Sequence, residues 1–328
     1  MATFSIIVET ENLGMAGLDD LEASLNSLLA QSLPINKIDE VIVIAGSHVS
    51  NELLKNLRLK YKWLTVKTVE GSLNYLESKM KGAELSKSDY LVFADSDMRY
   101  EKTWLSGMVS TFKKHPDGYV LSGDTRLQNN SIYKMSLNLT WMVQILSDKI
   151  TTPEPTTFFP LNNFAIKRQD LIQNPIPTNL PLYRNVIPFW ERMLTNGDLK
   201  VLRVPGTRGY HAPPGSFSDW WYRMLAYGSD FVAMSDFTVE NNNKIIESNS
   251  LLKRLFRYCI LLPWKIKQII FNSLKIAGED YKNLTKLPFA FILGILNIVV
   301  IQIGATIGLF NRTYVFRQIT ERETSHVV

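Results

Sequence analysis

The sequence predicts an α/β protein: a mostly parallel central sheet flanked by helices, followed by C-terminal helices built for a different solvent. Three observations carry that prediction. Short apolar runs of strand formers alternate with helical periodicity through the first hundred residues, the pattern of parallel strands joined by right-handed crossovers. One of those runs, Tyr90-Leu91-Val92-Phe93-Ala94, leads directly into two carboxylates one residue apart, Asp95-Ser96-Asp97. The charge is lopsided as well: nine bases against three acids from Lys244 to Lys286, then 23 uncharged residues from Pro288 to Phe310.

Taken in order, Phe4-Ser5-Ile6-Ile7-Val8 is a buried-strand pattern. Asp19 or Asp20 then caps a helix whose Leu21, Leu25, Leu28 and Leu29 recur at helical spacing, and Pro34 closes it. Glu40-Val41-Ile42-Val43-Ile44 is the second strand. A helix around 50–60, a strand over 64–69 and a helix around 73–86 lead back to the Asp95 strand. Beyond it, Trp104 to His115 reads as a helix stopped by Pro116-Asp117-Gly118. Tyr119 to Gly123 reads as a strand, and Ser131 to Asp148 as a packed helix. No G-x-G-x-x-G opens any of these helices and no Gly-Lys-Ser/Thr loop is present, so a dinucleotide fingerprint and a P-loop are excluded.

At 328 residues the chain has room for two domains, or one domain with an appendage. Its 45% hydrophobic and 20% charged content is that of a globular protein. The net charge of +5 sits in the C-terminal third beside apolar sequence, which suits a membrane surface; nucleic acid is not an expected partner. The single cysteine, Cys259, excludes an internal disulfide and fits a reducing compartment. The start, Met1-Ala2-Thr3-Phe4, runs straight into a strand and lacks the pattern of a signal peptide.

Asp95 and Asp97 fall where open α/β sheets place ligands, at the carboxyl end of a central strand. Two acids there repel each other unless something offsets the repulsion. A divalent ion carrying a phosphorylated ligand does so, because Mg²⁺ and Mn²⁺ take few carboxylates and complete their shell with phosphate oxygens and water. Read alone, the ten residues from Ser88 to Asp97 fit an ordinary acidic turn equally well.

Order and spacing add to this. Thr10-Glu11-Asn12 ends the first strand, Ser27-Leu28-Leu29-Ala30-Gln31 ends the first helix, and Lys79-Met80-Lys81-Gly82 sits on the helix before the acid pair. Arg192, Gly197, Pro205 and His211 follow in register. From Phe4 to Gly228 the layout resembles family 2 glycosyltransferases, inverting enzymes of the Rossmann-like GT-A fold that use nucleotide-diphosphate sugars. The resemblance implies Mn²⁺ or Mg²⁺ on Asp95 and Asp97, with His211 reaching the ion from a second loop. It also implies nucleotide-sugar contacts at Thr10, Glu11, Asn12, Lys79, Asp95 and Arg223. A neutral imidazole suits Mn²⁺, and a guanidinium grips a diphosphate in bidentate fashion. Asn162, Asn163, Trp220 and Trp221 are candidates for sugar or acceptor contact, against plain readings as a polar turn and as core. The family's acidic pair should fall near Val186-Ile187, which cannot take a proton. Glu191 is therefore the candidate general base, with Asp198 as the alternative.

The tail divides the chain. Residues 1–240 are expected to form the GT-A domain, 241–286 basic interfacial helices broken at Pro263, and 287–328 an apolar transmembrane or re-entrant helix with a short tail. The basic side precedes the apolar run, which places the catalytic domain on the cytoplasmic face. Gly304 and Gly308 have the spacing through which membrane helices pair, so self-association is expected there. The sequence thus points to a membrane-attached, metal-dependent glycosyltransferase acting on a lipid-linked or surface-glycan acceptor. A nucleotidyltransferase sharing the sheet is the enzymatic alternative. A membrane adaptor that binds sugar nucleotides without turnover is the other.

Overall fold

A computed structural model describes residues 2–11, 13, 18–47, 49–71, 73–141 and 150–325. The first strand, β1 (Phe4–Glu9), is buried throughout and is followed by α1 (Leu18–Leu29). Asp19 and Asp20 lie inside the first turn of α1. Next come β2 (Glu40–Ala45), α2 (Asn51–Lys60, capped by Ser50) and the short β3 (Thr65–Thr68). A capping box of Asn74 and Glu77 starts α3 (Tyr75–Leu85) and leads into β4 (Tyr90–Asp95), again buried on both faces. Gly82 seats α3 on β1, since a Cβ there would collide with Ile7.

The chain continues through β5 (Met98–Tyr100), α4 (Trp104–Lys114), β6 (Tyr119–Arg126), α5 (Ile132–Thr140), β7 (Glu154–Pro155), β8 (Asn163–Lys167) and α6 (Arg168–Gln173). Then follow α7 (Ile187–Asn196), β9 (Lys200–His211), α8 (Phe217–Ala233), the hairpin β10 (Phe237–Val239) and β11 (Ile245–Glu247), α9 (Leu251–Glu279), α10 (Leu287–Phe310) and α11 (Tyr314–Ser325). The part of the expected 131–148 helix beyond Trp141 lies outside the described residues.

Among the described residues the main sheet has nine strands in the order β3-β2-β1-β4-β8-β6-β9-β5, with β7 also paired to β9. Strands β1, β2, β3, β4, β6 and β9 run one way; β5, β7 and β8 run the other. The sheet is therefore mixed, and the insertion of β8 between β4 and β6 is what curls it around the exit of β4. Strand β8, for which no element was expected, supplies this central position through Phe164-Ala165-Ile166. One core lies on each face. Ile6, Val8, Val92 and Trp104 belong to the first, and Ile7, Phe93, Phe164 and Trp190 to the second.

A third core joins α8 to the C-terminal helices through Met224, Leu225, Leu261, Ile301, Ala305 and Ile319. No packing boundary falls at residue 240, because α8 is as much part of this cluster as of the sheet domain. Helix α9 also runs unbroken through Pro263, whose ring is exposed. By length and composition α10 is able to cross a membrane, yet 44% of its apolar window is buried in the protein. The glycines expected to pair two copies are spent within one chain. A Cβ at Gly304 would strike the backbone of Leu225, and one at Gly308 the backbone of Ser229. Gly304→Ala is therefore expected to destabilise the protein by about 1–3 kcal/mol through overpacking, lowering the melting temperature without changing oligomeric state in light scattering.

Candidate active site

The site begins where β4 ends. Asp95 is fully buried, its Oδ1 2.5 Å from Lys79 Nζ and its Oδ2 accepting from the Tyr75 hydroxyl at 2.8 Å. Both partners come from α3, so the glycine seat of that helix sets this pair. The Asp95 amide donates to the Tyr100 hydroxyl (3.0 Å), which in turn donates to the Asn162 carbonyl (2.8 Å). The parallel register places Glu9 beside Asp95. Burial and then the Asp95 charge push the Glu9 carboxyl well up; burial also raises Asp95, with the adjacent Lys79 pulling the other way.

Asp97 is different. It is 2% exposed, and neither carboxylate oxygen has a hydrogen-bond partner among the described residues. Pairing of β5 with β9 sets Met98 opposite His211 and brings His211 Nε2 to 3.4 Å from Asp97 Oδ2. The other ring nitrogen, Nδ1, is 2.5 Å from the Ala212 carbonyl, which only accepts, so Nδ1 carries the proton. An Nε2 without a proton would face the Asp97 carboxylate as a second acceptor, and such a pair could hold a Mn²⁺ ion; among the described residues no third metal-ligating side chain completes a cluster there.

Beside this pair opens a cavity of about 180 Å³, lined by Tyr75, Asp124, Asn162, Arg184, Asn185, His211, Arg223 and Tyr227 among others. The 183–185 loop forms one wall and is held by the buried Asp230 of α8. Tyr183 N donates to its Oδ1 at 3.1 Å, while Arg184 N (3.2 Å) and Asn185 Nδ2 (3.1 Å) donate to its Oδ2. Burial pushes the Asp230 carboxyl up to about 6 against the pull of these donors. The loop lays the Arg184 guanidinium over the Tyr75 ring at 4.1 Å. Arg223, 5% exposed, enters from α8. Asp124, at the bulge in β6, is the only carboxylate among the described residues that line the cavity. Its Oδ2 accepts from Arg208 Nε at 2.8 Å, and its buried Oδ1 has no hydrogen-bond partner among the described residues. Burial raises this carboxyl, and the Arg208 charge pulls it back.

Several expected site residues are placed elsewhere. Glu191 does not line the cavity. Helix α7 turns Phe189, Trp190, Met193 and Leu194 into the core, which leaves Glu191 on a separate surface groove with Pro188 and Arg192, bonded to Thr195. Asp198 is exposed in a left-handed turn (φ 60°). Asn163 is fully buried and spent on the framework, accepting from Trp104 Nε1 and donating to the Asp124 and Thr207 carbonyls. Trp220 is buried and donates to Asn297 of α10, while Trp221 stacks on Phe217 outside the cavity. Thr10 donates to the Ile44 carbonyl, Glu11 caps back onto Glu9, and Asn12 lies outside the described residues. Lys79 neutralises Asp95 from within the fold. The cavity does gather Asn162, His211 and Arg223 as expected. Tyr75, Asp124, Arg184 and Asp230 escaped sequence reading, since no local motif marks them.

A mixed α/β sheet with flanking helices and an acidic exit at its central strand is the architecture of GT-A glycosyltransferases. The family model of glycosyl transferase family 2 matches residues 5–174, more than half of the chain, and the chain belongs to that family. Among solved structures it is similar to mannosyltransferase PcManGT from Pyrobaculum calidifontis, in complex with GDP-Man and Mn²⁺. There the TM-score is 0.52 at 14% identity, covering 99% of this chain and 84% of the other. It is similar also to GalNAc-T7 with UDP, GalNAc and Mn²⁺, with a TM-score of 0.50 at 15% identity over 71% of this chain. The chain spans about half the GalNAc-T7 chain, 52%. At these identities the likeness is one of fold. A search of curated proteins finds no match.

The Asp230 anchor yields a test. Asp230→Asn keeps the size but offers one acceptor oxygen to the donors of the 183–185 loop. It should cost about 1–3 kcal/mol, as for a buried donor left unpaired, and should raise the KM for donor more than it lowers kcat. A melting curve together with donor titration checks both.

Proposed function

We propose that this family 2 protein is a metal-dependent, inverting glycosyltransferase. It passes a sugar from a nucleotide-diphosphate sugar to a hydroxyl of a lipid-linked or surface-glycan acceptor, at the cytoplasmic face of a membrane. One observation carries the proposal: a buried Asp97 carboxylate with no hydrogen bond among the described residues, facing Nε2 of His211 at the exit of β4. The presence of Mn²⁺ with UDP or GDP-Man in the similar structures supports it. Asp97 and His211 would hold the ion, which supplies charge neutralisation for the departing diphosphate. Asp95, saturated by Lys79 and Tyr75, holds the floor of the site rigid. Arg184 and Arg223 both line the cavity and orient the diphosphate.

Single displacement with inversion asks for one base on the acceptor side. Glu191 is out of position for that role, and Asp124 takes it. Its Oδ1 accepts no hydrogen bond among the described residues, while Arg208 holds Oδ2. The acceptor proton passes to Oδ1 as the hydroxyl oxygen bonds to the anomeric carbon and the diphosphate leaves. Asn162, bonded to Thr125 at 2.9 Å, is placed for a sugar hydroxyl.

Two experiments follow. Asp97→Asn should abolish Mn²⁺-dependent donor turnover and the Mn²⁺-induced rise in melting temperature, with His211→Ala weakening the ion several-fold. Normal metal titrations in both variants would remove the ion from this site. Asp124→Asn should cut transfer by roughly 10²–10⁴-fold while donor affinity stays close to wild type; unchanged transfer would return Asp124 to an ion-pair role. Substituting a nucleoside triphosphate for the sugar nucleotide distinguishes transfer of a glycosyl group from transfer of a nucleotidyl group.

A further inference from the structure

The two long C-terminal helices bury polar residues while leaving large apolar ones outside. Along α9 the buried residues are Leu261, Ile269 and Ile276 together with the polar Lys265, Gln268 and Asn272. The opposite face carries Leu252, Phe256, Ile266, Ile270, Phe271 and Leu274, each between 49% and 77% exposed. Helix α10 repeats the arrangement. Gly294, Asn297, Gly304 and Gly308 face inward, while Phe289, Ile292, Ile295, Leu296 and Val299 face out. A helix packed on a water-soluble domain shows the reverse, with apolar residues in and polar residues out. Small and polar residues at the helix contacts, with large apolar side chains outside, are what a hydrocarbon surrounding selects.

Charge identifies the occupant further. From Leu251 to Gly278 the chain carries six bases and no acid. Lys253 and Lys267 stand exposed on the same helix as the apolar face. Long lysine stems let the ammonium reach headgroups while the stem stays in the apolar layer. A second protein would need a matched apolar surface; an anionic lipid surface meets both the apolar face and the positive excess.

Packing then decides between crossing and lying flat. Gly294 touches Thr140 and Leu139 of α5, and Gly308 touches Ser229 of α8. Those glycines are 14 residues apart, or about 21 Å along the helix. Over that length one flank of α10 is the catalytic domain itself. Crossing a bilayer would draw α5, α8 and the polar cavity wall into the hydrocarbon. We infer that α9 and α10 form an in-plane platform whose outer faces sink into one leaflet of an anionic membrane, and that neither helix crosses it. The inference deepens the membrane attachment proposed above and does not depend on the donor chemistry. Interfacial helices of this kind sit about 5–10 Å into the headgroup and acyl boundary.

The test uses the full-length chain and its single cysteine, Cys259, exposed on α9. An environment-sensitive fluorophore on Cys259 is expected to shift to the blue on vesicles of phosphatidylcholine containing phosphatidylglycerol, and less on phosphatidylcholine alone. In a Cys259→Ser background, the same probe is placed singly at Phe289→Cys, Val299→Cys and Phe310→Cys. All three are expected to be quenched by a spin label near the headgroup, and equally. Deep quenching at Val299 with shallow quenching at the two ends would mean a crossing helix and overturn the inference. A Cys259 probe unmoved by vesicles, with the protein failing to float with them, would overturn membrane docking altogether. Cys259-to-Cys259 cross-linking that competes with vesicle binding would reassign the face to a second copy of the chain. Donor binding, read by thermal shift with UDP- and GDP-sugars and Mn²⁺, is scored separately. Its failure would fall on the donor reading and leave the probe depths to decide the platform.

Discussion

The last described turn of α5 lies inside the protein, and its carbonyls accept hydrogen bonds from side chains 125 to 161 residues downstream. Asn297 Nδ2 donates to Ser136 O at 3.3 Å, Asn272 Nδ2 to Asn138 O at 3.0 Å, and Lys265 Nζ to Thr140 O at 2.5 Å. Just upstream of α5, Arg126 reaches Glu279 at 2.5 Å. Each such buried acceptor left unpaired would cost about 1–3 kcal/mol. The inward faces of α9 and α10 therefore carry polar side chains, Lys265, Gln268, Asn272 and Asn297, among buried apolar ones such as Leu261, Ile269 and Ile301. Other large apolar residues of the two helices, Phe256, Phe271 and Ile292 among them, point outward.

Helix α8 carries the same logic to the site. One of its faces gives Arg223 and Tyr227 to the cavity. Another gives Leu225 and Gly228 to α10, with Gly228 bare because a Cβ would strike the Ile301 carbonyl. Its last turns supply Asp230, which gathers the 183–185 loop and so lays Arg184 over Tyr75. A single helix thus positions two cavity arginines and docks the platform, and neither duty leaves room for a change of register.

How much of this the sequence discloses depends on the range of the interaction. Strands β1, β2 and β4 declare themselves because burial on both faces demands unbroken apolar runs. Asp95 and Asp97 stand out because they follow one of those runs. His211 was found by its register within a family pattern, and β5–β9 pairing supplies the physical reason for it. Asp124 gave no such sign. It lies mid-strand beside Arg126, an ordinary ion pair by sequence, and it meets the cavity only because β8 inserts next to β6. Asn163 and Trp220 misled for the converse reason: side chains able to bind sugar are equally able to satisfy buried donors and acceptors, and only the tertiary partners tell the two uses apart. Pro263 broke the helix on paper, yet its ring sits on the exposed face of α9, where the chain loses one hydrogen bond without a clash inside the core.

The departure from the family's acidic pair and the platform helices meet at α8. Packed helices lie about 8–10 Å apart, so α10 runs roughly one helix spacing behind the wall that bears Arg223 and Tyr227. On the membrane reading, the leaflet is then held within about two helix diameters of the donor site, some 20 Å. A sugar acceptor carried on a lipid reaches the cavity without leaving its leaflet. For a freely soluble acceptor the same platform would be a liability, an apolar face kept wet for no return. The placement of a base at Asp124 agrees with this. It stands on β6, the strand that leads into α5, so the residue assigned to the acceptor hydroxyl and the α5 turn that meets the platform lie in consecutive elements of the chain.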